Sequence, residues 1–341
     1  VIMITGDQAL TAKKVGEEVG IGKGSGVIEG GKMKQIDELS EEEMEEIRKT
    51  KIFARVSPEQ KLNIIDVYQA DNNVVAMTGD GVNDAPALRR ANIGVAMGKR
   101  GTQVAQEAAD MVLRDDNFSS IADAVEEGRT ISDNIKKFVI YLLSCNLSEI
   151  LIILIASLLQ MPLPLLPLQI LYLNIITDIF PAFALAVNEG TPNIMERKPR
   201  DPDEPIITRK NWISMGIYAV ILTATVLGSF AISLTLFEIK IATSISFLTL
   251  GFTQLWHVFN MRDKDSHLLR NEITKNKYVW IAILLSSLLL IIVAYIPLLR
   301  TVLKTADPGI IGWSIIMGMS VLPLVGIQTW IFLSHRVKKL K

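Results

Sequence analysis

The sequence predicts an α/β unit with a parallel sheet, followed by an all-α unit of six helices that span a membrane. Strand-like apolar runs alternate with amphipathic stretches over residues 1–135, which is typical of a parallel sheet covered by helices. Residues 136–335 consist mostly of long apolar runs instead. The 35 basic and 36 acidic residues nearly balance, so composition gives no indication of nucleic-acid binding.

Five short apolar runs in the first part are predicted as strands: VIMIT, KIFARV, VVAMT, IGVAM and MVLR. Helices are expected between them, over 8–19, from Pro58, from about Asn83 and over about 102–109. Segment 22–50 is predicted to be an insertion with a surface helix, which Ser40 and Glu43 cap. Because the chain opens with a strand pattern and no charged leader, we expect it to be one part of a longer protein.

Two of the predicted strands end in the same way, with ITGD at 4–7 and MTGD at 77–80. Ligands collect at the carboxyl ends of parallel strands, where glycine amides can approach a phosphate and aspartate can hold Mg²⁺. Lys61 lies just inside the helix after another strand and can neutralise a phosphoryl oxygen at the same edge. One TGD alone is a turn and Lys61 alone a solvated lysine, but together they predict a phosphate and magnesium site.

Six apolar runs are long enough to span a bilayer, near 138–160, 166–187, 213–237, 241–260, 279–299 and 311–333. Alternate loops and the tail carry fourteen basic residues: Arg197, Lys198, Arg200, Arg209, Lys210, Arg262, Lys264, Arg270, Lys275, Lys277, Arg336, Lys338, Lys339 and Lys341. The opposite loops carry only Lys240, Arg300 and Lys304. This asymmetry predicts that both termini are cytoplasmic.

Two acidic residues fall well within the predicted spans, Glu149 and Asp178. An intramembrane carboxylate is costly unless it is paired or solvated, so both are candidates for function. Asn146 shares a helical face with Glu149, and Asn174 and Thr177 share one with Asp178.

Pro181 follows and is expected to free backbone carbonyls for coordination. Such an all-oxygen set suits a hard cation such as Ca²⁺, with Gln254 able to lend one further oxygen. Polar contacts between helices are the alternative interpretation.

No helix stop is found between about 118 and 160. One continuous helix over that range would be roughly 60 Å long, and would carry Asn146 and Glu149 near its far end. Cys145 is the single cysteine, and we expect it to be a packed thiol.

These motifs together resemble the P-type cation-transporting ATPases, most closely the calcium-pump branch. MTGDGVNDAPAL resembles the family's hinge motif, ARVSPEQK its lysine motif and MITGD its second phosphate loop. GRTISDNIKKFVIYLLSCNLSEI resembles the stalk with the fifth transmembrane helix, and LYLNIITDIFPAFAL the sixth.

The resemblance implies a haloacid-dehalogenase-like (Rossmann-type) phosphorylation domain, of which residues 1–120 would be the C-terminal part. It also implies a stalk over 118–160, a six-helix transmembrane domain over 138–335 and a basic cytoplasmic tail over 336–341. ATP would be the substrate and Mg²⁺ the cofactor. The partners would be the lipid bilayer, the transported cation and the N-terminal part of the same pump, with no nucleic acid.

The resemblance also implies roles for individual residues. Asp80 would hold Mg²⁺ with help from Asp84, Thr5 and Gly6 would contact an aspartyl phosphate, and Lys61 would neutralise it. Asp7 and Asn83 belong to the same catalytic motifs. The ligands of the transported cation would be Asn146, Glu149, Asn174, Thr177 and Asp178, with Gln254 as a further candidate.

The sequence departs from the family pattern in two respects. The phosphorylated aspartate of the DKTGT motif is absent, and the D-x-D sequences at 201–203 and 263–265 lie in loops beside spans. The nucleotide-binding and actuator domains and the first four transmembrane helices are also missing, so the chain alone is expected to be inactive.

The second departure is Gln254, which stands where two-site calcium pumps of the reticulum type carry glutamate. A stoichiometry of one Ca²⁺ per cycle is therefore an alternative, and so is transport of Na⁺, K⁺, H⁺ or Mn²⁺ in place of Ca²⁺. A catalytically silent membrane subunit and a phosphatase domain fused to a passive channel are alternatives from other classes, although the latter would need its own D-x-D nucleophile after a strand.

Overall fold

The structure is a computed structural model that describes residues 1–24, 26–33, 39–191, 193–263 and 266–339, with Asp178 and 332–339 described by their backbone only. Lys264, the Asp178 side chain and the side chains of the predicted tail therefore lie outside the described part. The chain divides into two compact units, Val1–Ala124 with Arg200–Asp203, and Val125–Pro199 with Glu204–Lys341.

Within the described residues, the first unit contains six short strands in two parallel sheets. The strands are β1 (Met3–Ile4), β2 (Val27–Glu29), β3 (Ile52–Ala54), β4 (Ala76–Gly79), β5 (Ile93–Met97) and β6 (Met111–Leu113). One sheet has the order β1-β3-β2 and the other β4-β5-β6. All five predicted strands are present, but they form two small parallel sheets rather than the single sheet that we expected.

Strand β2 was not predicted and lies within segment 22–50, whose assignment as an insertion stays a prediction. Its residues pair with β3, from Val27 opposite Ile52 to Glu29 opposite Ala54. A strand of three residues among glycines has too little alternation to be recognised from sequence. The predicted surface helix is confirmed as α2 (Glu41–Lys49), and Ser40 and Glu43 form its capping box.

The other helices of this unit are α1 (Ala9–Glu18), α3 (Pro58–Ala70), α4 (Ala85–Arg90) and α5 (Gln103–Ala108). Helix α3 begins with Pro58 after a capping box of Ser57 and Gln60. Its Ile65 packs with Met77 of β4, whereas Ile64 packs with Phe53 of β3. Helix α3 therefore belongs to the cores of both sheets, and its first turn carries Lys61.

The second unit is all-helical. Its elements are α6 (Ser119–Leu158), α7 (Pro167–Leu173), a π-helical segment (Asn174–Asp178), α8 (Ile179–Ala186), α9 (Arg209–Leu236), α10 (Ile239–His257), α11 (Glu272–Lys275), α12 (Lys277–Tyr295), α13 (Pro297–Leu303) and α14 (Gly309–Lys339). Within the described residues, five helices are long and apolar enough to cross a membrane: Ser119–Leu158, Pro167–Ala186, Arg209–Leu236, Lys277–Tyr295 and Gly309–Ile331.

Helix α10 corresponds to the remaining predicted span but is not in that set. Serine, threonine and glutamine lower its hydropathy, although 15 of its 19 residues are buried. It packs against α9, α12 and α14 in the interior of the bundle. Interior helices of a bundle can be more polar than those that face lipid, because their side chains face other helices.

Helix α6 runs for 40 residues without a break, which confirms the prediction of one continuous helix over this range. Asn146 and Glu149 lie in its second half, and Cys145 beside them is fully buried as expected. The division between the two units falls within this helix, after Ala124.

A network of ion pairs fixes α6 to two loops of the second unit. Arg197 contacts Asp133 at 2.8 Å and Asp263 at 2.5 Å. Lys137 pairs with Glu272 at 2.9 Å, and the Glu272 side chain is only 2% exposed. Burial raises the pKa of Glu272, but the charge and hydrogen bond of Lys137 outweigh this and hold it below the usual value.

Candidate functional site

The structure joins Lys61 and Asp84 in an ion pair, with the lysine Nζ 2.5 Å from Oδ1. Asp84 lies in the turn that follows β4, and its Oδ2 accepts hydrogen bonds from the backbone N–H groups of Asp80 at 3.3 Å and Gly81 at 3.1 Å. Gly79 is needed here because a Cβ at this position would lie 2.5 Å from Cβ of Asp84. The turn thus folds one carboxylate back onto its own backbone and against Lys61.

The electrostatics of this turn keep Asp84 ionised. Burial raises the pKa of Asp84, but the hydrogen bond and charge of Lys61 and the N–H of Gly81 prevail, so that its pKa lies below the usual value. The Asp80 side chain is exposed beside it. Two hard carboxylates at the end of β4 fit Mg²⁺, which binds through one or two protein carboxylates and completes its shell with water and phosphate.

The other TGD sequence forms a turn of its own. The Thr5 hydroxyl donates to Oδ2 of Asp7 at 3.0 Å, and the Asp7 N–H donates to the Thr5 hydroxyl oxygen at 3.1 Å. A Cβ on Gly6 would meet nothing within 4 Å, so this turn leaves open space in front of the backbone. Hydrogen bonds between the described residues link Thr5 to Asp7 but not to the Lys61–Asp84 pair, and Asn83 is exposed.

In the second unit, Glu149 of α6 is the centre of a buried polar cluster. The Gln254 amide donates to its Oε1 at 2.8 Å. With the Asn174 amide oriented so that its nitrogen is the donor, that nitrogen lies 3.1 Å from both carboxylate oxygens. Glu149 is 5% exposed and Gln254 is fully buried. The structure therefore brings together Glu149, Asn174 and Gln254 from three different helical elements.

The segment Asn174–Asp178 is π-helical and interrupts the α-helix between α7 and α8. Such single turns arise where helix hydrogen bonds are shifted, and Pro181 cannot supply an N–H to the Thr177 carbonyl. That carbonyl lies 3.3 Å from the Tyr141 hydroxyl, and the Ile176 carbonyl accepts from Ser286 at 3.3 Å. The expected freeing of carbonyls is therefore seen, but in this arrangement side chains of α6 and α12 occupy them.

Two more predicted ligands bond to their own helix. The Asn146 amide donates to the Leu142 carbonyl at 3.0 Å, and the Thr177 hydroxyl donates to the Leu173 carbonyl at 2.9 Å. Both donations leave oxygen lone pairs available. Tyr141 was not predicted from the sequence, although its position on α6 between the stalk and Glu149 was a signal that could have found it.

No three side chains of the metal-binding types His, Cys, Asp and Glu converge within the described part of the chain. A cation in the membrane unit would therefore rely on amide, hydroxyl and carbonyl oxygens beside Glu149. His257 lies close by, fully buried between Ser144 at 3.0 Å and Asn260 at 3.1 Å. Its ring nitrogens are thus engaged in contacts between helices.

These features define an integral membrane protein with a soluble unit of the haloacid-dehalogenase type. A family model described as "Cation transporting ATPase, C-terminus" matches residues 162–333, half of the chain. Two models described as "haloacid dehalogenase-like hydrolase" match residues 1–92 and 60–125. The chain belongs to the cation-transporting ATPases, which confirms the resemblance seen in its motifs.

Curated relatives agree with this assignment. The "Calcium-transporting ATPase" of Bacillus subtilis is 45% identical over 327 residues, which cover 94% of this chain and 36% of that protein. "Calcium-transporting ATPase 1" of Bacillus cereus is 38% identical over 95% of this chain and 38% of its own length. "Cation-transporting ATPase pma1" of Synechocystis is 36% identical over 95% of this chain and 36% of its length. The chain thus spans little more than a third of these relatives.

Proposed function

We propose that the chain is the C-terminal part of an ATP-driven pump that moves Ca²⁺ out of the cytoplasm through an aspartyl-phosphate cycle. Two of the relatives described above are named for calcium transport, which supports this choice of cation. The phosphorylated aspartate and the nucleotide-binding and actuator domains would be supplied by the N-terminal part of the same pump. Without that part, the chain would not hydrolyse ATP.

The observation that carries the proposal is the buried carboxylate of Glu149 between two amides. In the present arrangement, both amides direct N–H groups at Glu149 and stabilise its carboxylate by hydrogen bonds. The Gln254 Oε1 is buried without a hydrogen-bond partner. Rotation of either amide by half a turn would present oxygen in place of nitrogen, and a cation would then replace the N–H groups.

This donor set favours a hard divalent cation. Carboxylate, amide, hydroxyl and carbonyl oxygens suit Ca²⁺, and Mn²⁺ accepts the same ligands. Gln254 contributes no charge, so the cluster has one fewer negative charge than a site with glutamate there. We therefore propose one Ca²⁺ per cycle, with Asn146, Thr177 and Asp178 completing the coordination.

At the end of β4, Asp80 and Asp84 would hold Mg²⁺, and Lys61 would neutralise an oxygen of the aspartyl phosphate. When bound, Mg²⁺ would stabilise the negative charge that develops on the transferred phosphoryl group. Asp84 also positions Lys61, because their ion pair is partly shielded from water. Thr5 and Gly6 would contact the phosphate through the open turn that they form with Asp7, and Asn83 would act from the turn after β4.

The unbroken helix α6 supports a mechanical coupling between phosphorylation and transport. A tilt of this helix would move Glu149 relative to Asn174 and Gln254, and so change the affinity of the cluster for the cation. We propose six spans with α10 as the interior one, and both termini in the cytoplasm, as the fourteen-to-three distribution of basic residues indicates.

The test is phosphoenzyme formation from ATP in the complete pump, measured with Ca²⁺, Mn²⁺, Na⁺ or K⁺ as the only added cation and over a range of pH. We expect stimulation by Ca²⁺, and its loss on Glu149→Gln but not on Glu196→Gln, which makes the same change on an exposed residue. Stimulation by another cation alone would contradict the choice of Ca²⁺. No phosphoenzyme under any condition would favour a silent membrane subunit.

A further inference from the structure

A cavity of about 890 Å³ lies at one end of the helical bundle, and none of the residues that line it belongs to the cluster around Glu149. It is formed by the loop after α6, the first turn of α10 and helix α13. Lys240, Arg300 and Lys304 all line it. These are the three basic residues of the loops that alternate with those carrying the fourteen others.

Among the described residues that line the cavity, none is acidic and could act as a counterpart of the three cations. None of them forms an ion pair with any acidic residue that the structure describes. Glu238 and Asp307 belong to the same end of the bundle but do not line the cavity. Three like charges around one space repel each other, so an anion in the cavity would be held by all three.

The threonine hydroxyls of the cavity are not available to donate hydrogen bonds to an anion. Their hydroxyl hydrogens are used in bonds to backbone carbonyls, as Thr243 donates to Leu163 at 3.2 Å and Thr305 to Val293 at 2.9 Å. The donors left for a ligand are therefore the three charged groups. Multiple cationic donors around one space are typical of sites for phosphate oxygens.

Two features of this end of the bundle are typical of protein surfaces at the level of lipid headgroups. Trp313 donates to the Tyr295 hydroxyl at 2.8 Å, and such aromatic residues concentrate at membrane interfaces. On α13, Leu298 and Val302 are 72% and 50% exposed, while Arg300 lines the cavity. A short helix with one apolar exposed face and one basic face is suited to lie in the interface.

We propose that this cavity binds the phosphodiester headgroup of an anionic phospholipid, a role separate from transport. Inorganic phosphate is much smaller than the cavity and would leave its apolar wall uncovered. Leu163, Leu166 and Pro297 form that wall beside the cations. The glycerol and first acyl carbons of a lipid would cover these residues while the phosphate contacts Lys240, Arg300 and Lys304.

Native mass spectrometry of the purified protein tests this directly, by titration with phosphatidylglycerol, phosphatidylcholine or inorganic phosphate. The variant Lys240→Gln/Lys304→Gln changes two exposed side chains and should fold. Each basic residue near an anionic lipid contributes about fivefold in affinity, so the loss of two should weaken binding of phosphatidylglycerol to the tightest site roughly 25-fold. Arg270→Gln/Lys275→Gln removes two exposed charges at the other end of the bundle and should leave that site unchanged.

Binding of phosphatidylcholine should be weak and equal in all three proteins. Equal loss of phosphatidylglycerol in both variants would mean that only net charge matters, and would overturn the proposal. Displacement of the lipid by millimolar inorganic phosphate would reassign the cavity to a free anion. If neither lipid nor phosphate distinguishes the variants, the cavity is no anion site.

Discussion

Replacement of Asp84 by asparagine is the most direct perturbation of the proposed phosphate edge. Asp84→Asn keeps the shape of the side chain but removes the charge that Lys61 and two backbone N–H groups share. Breaking a buried ion pair costs about 3–5 kcal/mol, and we take the lower figure because the two side chains remain 17% and 12% exposed. If the free energy of opening the turn falls by about 3 kcal/mol, amide hydrogens that exchange only when the turn opens should exchange roughly 150-fold faster.

Amide hydrogen exchange of the peptide over 76–84 measures this opening in the intact protein. Asp66→Asn is a matched control, since Asp66 pairs with Arg90 at 2.6 Å on an exposed surface and should change exchange little. If Asp84→Asn accelerates exchange no more than the control does, Asp84 does not hold this turn and the reasoning fails.

The same turn should respond to acid. The folded pKa of Asp84 lies below its ordinary value of 3.8, so its contribution to stability is complete above that value. As pH falls below 3.8 toward the lowered folded pKa, the unfolded turn binds the proton first and the contribution is lost. Exchange over 76–84, corrected for the intrinsic pH dependence of amide exchange, should therefore show less protection in this range in the wild type than at neutral pH. Asp84→Asn should show no such step.

Three other changes test separate parts of the structure. Gly79→Ala should displace Asp84 and destabilise its turn by about 1–3 kcal/mol, whereas Gly81→Ala, whose Cβ would lie 3.5 Å from the same carboxylate, should be tolerated in the same exchange assay. Glu272→Gln should lower the thermal unfolding midpoint in detergent, because the loss of its buried ion pair with Lys137 lowers the free energy of unfolding by about 3 kcal/mol. The wild type should lose this contribution to stability as pH falls below about 4.5. An unchanged midpoint would argue against the ion-pair network on α6. Tyr141→Phe should change the apparent cation affinity of phosphorylation about 2- to 12-fold, because one hydrogen bond to the π-helical segment is lost, and an unchanged affinity would separate this hydroxyl from the site.

Much of the fold was predictable because its signals are local. Capping residues and Pro58 gave the starts of α2 and α3, and the absence of a stop gave α6 as one helix. The pairing of the strands was not predictable in the same way. Strand β2 has three residues, and its place beside β3 depends on contacts that sequence periodicity does not report.

The candidate sites show the same division between local and tertiary information. Spacing along one helix predicted that Glu149 and Asn146 share a face, but not that Asn146 bonds to its own backbone. The contact of Gln254 with Glu149 joins residues 105 positions apart, and only tertiary packing brings them together. Lys61 and Asp84 were both expected at one edge, whereas their direct pairing depends on how α3 packs between the two sheets.

The polar character of α10 has a consequence for how the protein enters the bilayer during synthesis. A segment rich in serine and threonine partitions weakly on its own, and Leu236 at the end of α9 is separated from Ile239 by only two residues. We therefore expect α9 and α10 to leave the translocon together as a helical hairpin, in which the more apolar α9 drives the membrane insertion of α10. Biogenesis of the whole bundle would then depend on that tight connection.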